Sequence, residues 1–241
     1  MRRYTDPDLS SAALITIDTQ RDTLDGQPFE IPGTSAILPN MVVLLSAWRR
    51  AGLPIVHVVR IYLRDGSNVD LCRRERVERG AALVLEGTPG CEIAEPLWPA
   101  PGARLDPDLL LAGGIQKIAP HEIVIYKPRW GAFYGTPLEG HLRALGVGTL
   151  VFTGCNFPNC PRASIYEASE RDFRIVLVED AVSGLTDRGK EEIRSIGVAV
   201  TTTRALMADL GRAHRPGPVT QAIPTDQFPF VFHRTTWIDS S

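Results

Sequence analysis

An acid, a lysine and a cysteine stand at or just past the ends of apolar runs that are far apart in the chain: Asp18, Lys127 and Cys160. Cys160 precedes Pro161, and proline is favoured in the first turn of a helix, so we expect the thiol at or beside a helix N-terminus. Unpaired backbone N–H groups and the positive end of the helix dipole favour a thiolate there and can lower a cysteine pKa to roughly 3.5–7.5. The pattern suggests a sulfur nucleophile.

The three residue types together suggest hydrolysis of an amide. Asp18 could accept the proton of Cys160 and return it to a leaving nitrogen. Lys127 could keep Asp18 ionised and favour the thiolate. Backbone N–H groups of Cys160 and of the loop near Asn156 could hold the oxyanion. Taken singly, the acid could instead be a cap, the lysine a surface charge and the cysteine a small apolar residue.

Apolar runs alternate with helical patterns along most of the chain. Fully apolar strands separated by helices are typical of a parallel sheet covered on both faces. We therefore predict a three-layer α/β/α fold of Rossmann-like type with a mainly parallel six-stranded sheet. Its strands are predicted at residues 12–18, 54–61, 122–126, 149–153, 174–178 and 198–202. Ligands of such sheets bind beyond the carboxyl ends of the strands, where the three residues fall.

The predicted domain covers residues 1–213, with an insertion over the active site at 62–120. The charged run at 73–79 is typical of a solvated helix face, although one of its arginines could meet substrate. Residues 214–241 form a tail with Phe228, Phe230, Phe232 and Trp237. This apolar content predicts packing on the domain itself or on a neighbouring subunit.

Composition favours an ordinary globular protein of 241 residues, with 44% hydrophobic and 22% charged residues and a net charge of −2. Nothing indicates a basic nucleic-acid-binding face or an apolar run of membrane-spanning length. The N-terminus lacks the apolar segment of an export signal. Four cysteines in a chain of this size suggest free thiols, so we expect a cytoplasmic protein.

Three segments resemble the isochorismatase-like cysteine hydrolases, and the resemblance covers roughly residues 10–210. Residues 14–20 resemble the family's opening strand with its aspartate, residues 127–138 its lysine segment, and residues 153–181 its nucleophile segment and following strand. The order of acid, lysine and cysteine and the spacing from Gly154 to Cys160 carry the likeness.

The resemblance implies that Asp18, Lys127 and Cys160 are a catalytic triad. It also implies a cis peptide bond between Cys155 and Asn156, and an oxyanion hole made by the amides of Asn156 and Cys160. Membership of the amidohydrolase branch implies cleavage of a C–N bond in a small amide, a ureido or carbamoyl compound, or a lactam. The resemblance further implies that the protein needs no cofactor and forms a homo-oligomer.

Zinc-dependent members of the family keep an Asp-x-His pair in the second strand. His57 has no aspartate two residues before it, so we predict no metal site and a satisfied core or strand-end histidine. The aromatic and basic side chains near the triad are the candidates for substrate binding: Tyr62, Arg129, Trp130, Tyr134 and Phe157. Arg129 or Arg162 could pair with a substrate carboxylate.

Two readings from other classes stay open. The chain could be a catalytically idle relative that uses the fold for binding or assembly. It could also be a redox-active thiol protein that pairs Cys155 with Cys160. Cys155 is the rival nucleophile too, but it ends a strand instead of starting a helix, so Cys160 is favoured.

Overall fold

The computed structural model describes residues 3–213. A seven-stranded sheet runs through it in the order β3-β4-β2-β1-β5-β6-β7. All neighbouring strands are parallel except β3, which pairs antiparallel with β4 at one edge. The strands are β1 (Ala12–Ile17), β2 (Ile55–Val59), β3 (Ile115–Ala119), β4 (Glu122–Tyr126), β5 (Thr149–Gly154), β6 (Arg174–Val182) and β7 (Ala199–Thr201).

Helices cover both faces of this sheet. They are α1 (Thr34–Ala51), α2 (Leu71–Glu78), α3 (Pro107–Leu111), α4 (Leu138–Ala144), α5 (Cys160–Ser169), α6 (Asp187–Ser195) and α7 (Thr203–Ala213). Apolar residues of α1 and α7 share one core with one face of the sheet, and those of α4, α5 and α6 share a second core with the other. The α/β/α prediction is confirmed, as are all six predicted strands.

The seventh strand, β3, is a correction to the prediction of six. It lies inside the segment interpreted as an insertion over the active site, and its side chains are only partly buried or exposed. Because its sequence, Ile-Gln-Lys-Ile-Ala, lacks the continuous apolar run of a central strand, the pattern that identified the others did not apply. The segment thus contributes an edge strand to the main sheet.

The carboxyl ends of β1, β4 and β5 lie at one edge because the register aligns them. Ile17 is opposite Gly154 on one side and Val58 on the other, and Val59 is opposite Tyr126. Gly154 is required at this point: its φ is +109°, and a Cβ there would lie 2.2 Å from the carbonyl oxygen of Ile17.

The tail at 214–241, with its predicted packing, lies outside the described residues. Within residues 3–213, none of the helices combines the length and the apolar character needed to cross a membrane.

Candidate active site

Lys127 connects the two other residues of the predicted triad. Its backbone N–H donates to the carbonyl of Val59, which extends the β2–β4 ladder by one residue, and its side chain is fully buried. Nζ lies 2.8 Å from Oδ2 of Asp18 and donates to Sγ of Cys160 at 3.3 Å. A third contact, at 3.2 Å, goes to the carbonyl oxygen of Arg129. One ammonium group therefore bridges the carboxylate and the thiol.

Asp18 sits directly after β1 in a left-handed conformation, with φ +46°. Aspartate tolerates this region better than most residues. Its carbonyl accepts hydrogen bonds from the Thr23 hydroxyl at 3.1 Å and the Cys155 thiol at 3.0 Å. Its Oδ1 is buried and has no hydrogen-bond partner among the described residues. One carboxylate oxygen is thus tied to Lys127 while the other is free to accept a proton.

Cys160 is the first residue of α5 and is buried. Burial raises the pKa of its thiol to about 11, and the negative charge of Asp18 adds to the rise. The positive charges of Lys127 and Arg60 act in the opposite direction but do not outweigh these two effects. The prediction of a lowered cysteine pKa was therefore wrong. At neutral pH the resting group is a thiol, so attack on a carbonyl requires a base to take its proton.

The loop between β5 and α5 contains the cis peptide bond Cys155–Asn156 that the resemblance implied. The N–H of Phe157 donates to the carbonyl of Ser183 at 2.8 Å, which anchors the loop against the end of β6. The N–H groups of Asn156 and Cys160 have no partner among the described residues. Both donors are available to an oxyanion beside the thiol.

A buried arginine that the sequence reasoning missed lies beside the three residues. Arg60 follows β2, and its Nη1 is 3.1 and 3.0 Å from the two carboxylate oxygens of Asp70. Its Nη2 donates to the carbonyl of Arg129 at 2.6 Å. An arginine between Val59 and Ile61 in an apolar run could have signalled a buried charge, but its partner ten residues later could not be identified from spacing.

The pocket above the thiol is narrow, with about 20 Å³ of space. Asp18, Cys160 and Asn156 form its floor, and Cys155 also lines it. Other segments contribute the remaining wall through Gln20, Thr23, Phe29, Ile31, Arg60, Arg73 and Val84.

Two of the predicted substrate-binding residues are buried and do not reach the pocket themselves. Tyr62 is inaccessible, and its hydroxyl donates to Asp70 at 2.6 Å. Phe157 packs in the core under α6, where a Cβ on Gly189 would lie 2.5 Å from its ring. Neither side chain lines the pocket.

The other three lie on the loop after Lys127, and none of them lines the pocket. Arg129 is exposed and donates to the carbonyls of Asn68 and Pro128, whereas Tyr134 is 60% exposed. Trp130 is half-buried, and its ring centroid lies 4.5 Å from the guanidinium carbon of Arg73. Arg162, the other candidate for a carboxylate, pairs with Glu192 at 2.6 Å.

His57 is a satisfied core histidine, as predicted. Its Nδ1 is 2.8 Å from the hydroxyl of Thr16 and its Nε2 is 2.7 Å from Oε1 of Glu122. Arg49 completes this buried cluster by donating two hydrogen bonds to the same carboxylate. Across residues 3–213, no three His, Cys, Asp or Glu side chains are grouped to hold a metal ion.

A mainly parallel α/β/α sheet with an acid, a lysine and a cysteine in contact at its carboxyl edge defines a class of α/β proteins, those that place a carboxylate, an ammonium group and a thiol together at the strand ends. Within that class the chain belongs to the isochorismatase family. The family model, described as the isochorismatase domain, matches residues 12–106 and 111–205.

Two curated relatives are similar over most of the chain. A probable inactive nicotinamidase from Arabidopsis thaliana is 27% identical over 80% of this chain and 92% of its own length. The ureidoacrylate amidohydrolase RutB of Methylobacterium radiotolerans is also 27% identical, over 72% of this chain and 67% of its own.

A solved structure extends the likeness to three dimensions. An isochorismatase family protein from Desulfovibrio vulgaris superposes with a TM-score of 0.70 at 32% identity, covering 84% of this chain and 99% of the other. The family assignment made from the three sequence segments is thus confirmed.

Proposed function

We propose that this protein is a cysteine-dependent amidohydrolase that cleaves a C–N bond of a small amide, a ureido or carbamoyl compound, or a lactam through an acyl-thioester on Cys160. That the chain is a hydrolase of C–N bonds rests on its family and on relatives named as amidohydrolases. The identity of the nucleophile rests on one observation, the contact of the Lys127 ammonium with both the Asp18 carboxylate and the Cys160 thiol.

In the first half-reaction Asp18 takes the proton of the Cys160 thiol through its unpartnered Oδ1 while sulfur attacks the carbonyl carbon. The oxygen of the tetrahedral intermediate accepts hydrogen bonds from the Asn156 and Cys160 amides. Asp18 then returns the proton to the leaving nitrogen. The C–N bond breaks, ammonia or an amine departs, and the acyl group stays on sulfur.

In the second half-reaction Asp18 removes a proton from water, and the hydroxyl attacks the thioester carbonyl. The C–S bond breaks, and the proton held by Asp18 goes to the Cys160 sulfur. Lys127 stays in place through both half-reactions. Its positive charge lowers the free energy of a negative charge on Asp18 or Cys160 in this buried site.

The relative named as a ureidoacrylate amidohydrolase favours ureido and carbamoyl compounds as the first substrates to test. Residues 127–134 also resemble the corresponding segment of ureide and carbamoyl amidohydrolases, which favours the same substrates over nicotinamide. We also propose a cytoplasmic, homo-oligomeric enzyme without cofactor, metal, membrane or nucleic-acid partner. Its four free cysteines would stay reduced in the cytoplasm.

Substitution of the thiol tests the mechanism. Hydrolysis is measured over a panel of N-carbamoyl amino acids, ureido acids and carboxamides by ammonia release, and over lactams by mass spectrometry of the ring-opened acid. We expect Cys160→Ala to lose at least about 10³-fold in turnover, as is usual when a covalent nucleophile is removed. Cys72→Ser, which changes an exposed thiol, serves as the matched control and keeps full activity.

Cys155→Ala separates the two buried thiols. The Cys155 thiol donates to the backbone carbonyl of Asp18, and no hydrogen bond joins it to Lys127 within residues 3–213, so we expect its alanine variant to retain turnover. Full activity in Cys160→Ala, or complete loss confined to Cys155→Ala, would contradict the proposal.

A catalytically idle protein is the second candidate, favoured by the relative that is named as inactive. It predicts no hydrolysis of any member of the panel, even though the wild-type and Cys160→Ala proteins fold equally well.

A further inference from the structure

A second arginine, Arg73, is held rigidly at the mouth of the pocket. It lies in the first turn of α2, and its Nη1 donates to the hydroxyl of Tyr62 at 3.1 Å and to Asp70 at 3.0 Å. Its guanidinium carbon lies 5.0 Å from the ring centroid of Phe29 and 4.5 Å from that of Trp130. Two aromatic rings and two hydrogen bonds thus fix the orientation of the planar group.

The remaining donors of this guanidinium are free. Nε and Nη2 have no hydrogen-bond partner among the described residues. Arg73 lines the same pocket as Asp18 and Cys160, and its side chain is 17% exposed. Because a fixed guanidinium with free N–H groups matches the geometry of a carboxylate, this end of the pocket is suited to an anion.

The charge balance of the site points the same way. Among the described residues, the cationic side chains of Arg60, Arg73 and Lys127 contact two carboxylates, those of Asp18 and Asp70. A further buried acid, Asp22, accepts from the N–H of Val84 at 2.7 Å and does not line the pocket. The contacting set therefore carries one positive charge in excess, which a single negative charge on a substrate would neutralise.

We propose that Arg73 is a specificity-determining residue that binds an anionic group of the substrate, so that the enzyme acts on acids such as N-carbamoyl amino acids or ureido acids. This rests on the proposed function, in which Cys160 attacks the amide or carbamoyl carbon. The carboxylate pairs with Arg73 at the outer end of the pocket while the scissile group lies over the thiol.

A pair of small alkylating reagents tests the anion site without any assumption about the substrate. Iodoacetate and iodoacetamide have nearly the same shape and differ by one negative charge. Each transfers a two-carbon group, carboxymethyl or carbamidomethyl, to the sulfur with release of iodide, and the thiol proton goes to solvent. The rate of each at Cys160 is followed by peptide mass spectrometry at pH 9 in low salt, relative to its rate with a free model thiol. The quotient of the two relative rates reports the charge preference of the pocket.

We expect this quotient to favour iodoacetate in the wild-type protein and to fall about tenfold in Arg73→Met, as expected for the loss of one charge-assisted pair. Arg73→Lys keeps the positive charge but loses the planar arrangement of N–H donors, so we expect an intermediate quotient. Both reagents are used on the same variant. A general loosening of the pocket would raise both alkylation rates by the same factor and would leave the quotient unchanged.

Arg76→Met is the matched control. Arg76 lies on the same helix, and its guanidinium is 5.8 Å from the Phe29 ring, but it donates to the Pro28 carbonyl and does not line the pocket. Its quotient stays at the wild-type value. Equal quotients in the wild type and Arg73→Met overturn the proposal, as does failure of iodoacetate to reach Cys160. If no ammonia is released from the substrates but the quotient still falls in Arg73→Met, the proposed amidohydrolase activity is contradicted. The anion site is then retained.

Discussion

In the proposed mechanism, the charge state of a single thiol decides how the three residues act together. Burial and the charge of Asp18 raise the pKa of Cys160 to about 11, so the thiolate fraction grows only as the pH rises well above neutrality. We expect the rate of Cys160 alkylation by iodoacetamide to have its midpoint above the ordinary thiol value of about 8.5. Asp18→Asn removes a negative charge next to the sulfur and therefore moves the midpoint to lower pH.

Lys127→Met is the control for this titration, because we expect it to shift the pH midpoint of Cys160 alkylation in the opposite direction. It removes a positive charge that lowers the pKa of the thiol, so the midpoint moves to still higher pH. Peptide mass spectrometry over pH 6–11 follows the rise of each rate: at a given pH we expect the Asp18→Asn rate to lie above that of the wild type and the Lys127→Met rate to lie below it. A wild-type midpoint below that of an ordinary thiol, or one that Asp18→Asn leaves in place, would mean that a preformed thiolate does the chemistry.

At this scale the sequence predicted more of the contacts than of the energetics. Asp18, Lys127 and Cys160 could be found because each stands close to the end of an apolar run, and parallel strands bring those ends to one edge. The direction of the pKa shift of the Cys160 thiol could not be predicted from the sequence, because it depends on how deeply the sulfur is buried. Arg73 was one of several arginines in a charged run, and a helical period alone does not show which of them faces a pocket.

Three elements are tied together by the buried cluster of Arg49 on α1, His57 on β2 and Glu122 on β4. Burial alone would raise the pKa of Glu122, but hydrogen bonds from Arg49 and His57 outweigh it and lower that pKa to about 2. The pKa of this carboxylate is lower in the folded protein than in the unfolded chain, where it is near 4.5. Its charge therefore stabilises the fold at pH values above 4.5, and this stabilisation is lost as the pH falls toward 2.

Glu122→Gln tests this linkage. The shift corresponds to about 3 kcal/mol, so between pH 7 and pH 2 the wild type should lose about that much more free energy of unfolding than the variant. Urea titrations at a series of pH values measure the difference. Glu75→Gln, which alters an exposed acid paired only with Arg79 on α2, keeps the wild-type slope. Parallel curves for the wild type and Glu122→Gln would contradict the assignment.

Elements were predictable where one physical signal dominated. The central strands are buried on both faces and appear as continuous apolar runs, whereas β3 is a half-buried edge strand with polar residues in it. The start of α5 was placed within one residue, since Pro161 marks the first turn. The Arg49–His57–Glu122 cluster spans three elements, and no local pattern could have grouped it.

For the molecule as a whole, the strand ends position the proposed reacting groups. The segment after β2 and the loop after β1 cover them. Phe29 and Ile31 come from that loop, and Arg73 and Val84 come from the covering segment. The enclosed space of about 20 Å³ is enough for about one water molecule, which is smaller than any amide substrate. We therefore expect the Phe29 side chain to move aside on substrate binding while Arg73 keeps its hydrogen bonds to Tyr62 and Asp70.

Phe29→Ala should lower the free energy of that movement. The ring stacks on Arg73 and on Arg76, and losing the stack costs about 1.4 kcal/mol, which corresponds to about a tenfold faster reaction of Cys160 with neutral iodoacetamide. Leu71→Ala, at an 82% exposed position on α2, is the control and leaves the rate unchanged. Alkylation of the exposed Cys72 is the reference within each protein. An unchanged Cys160 rate would show that access does not run past Phe29. An equal acceleration at the buried Cys91, which does not line the pocket, would show that the variant loosens the domain as a whole.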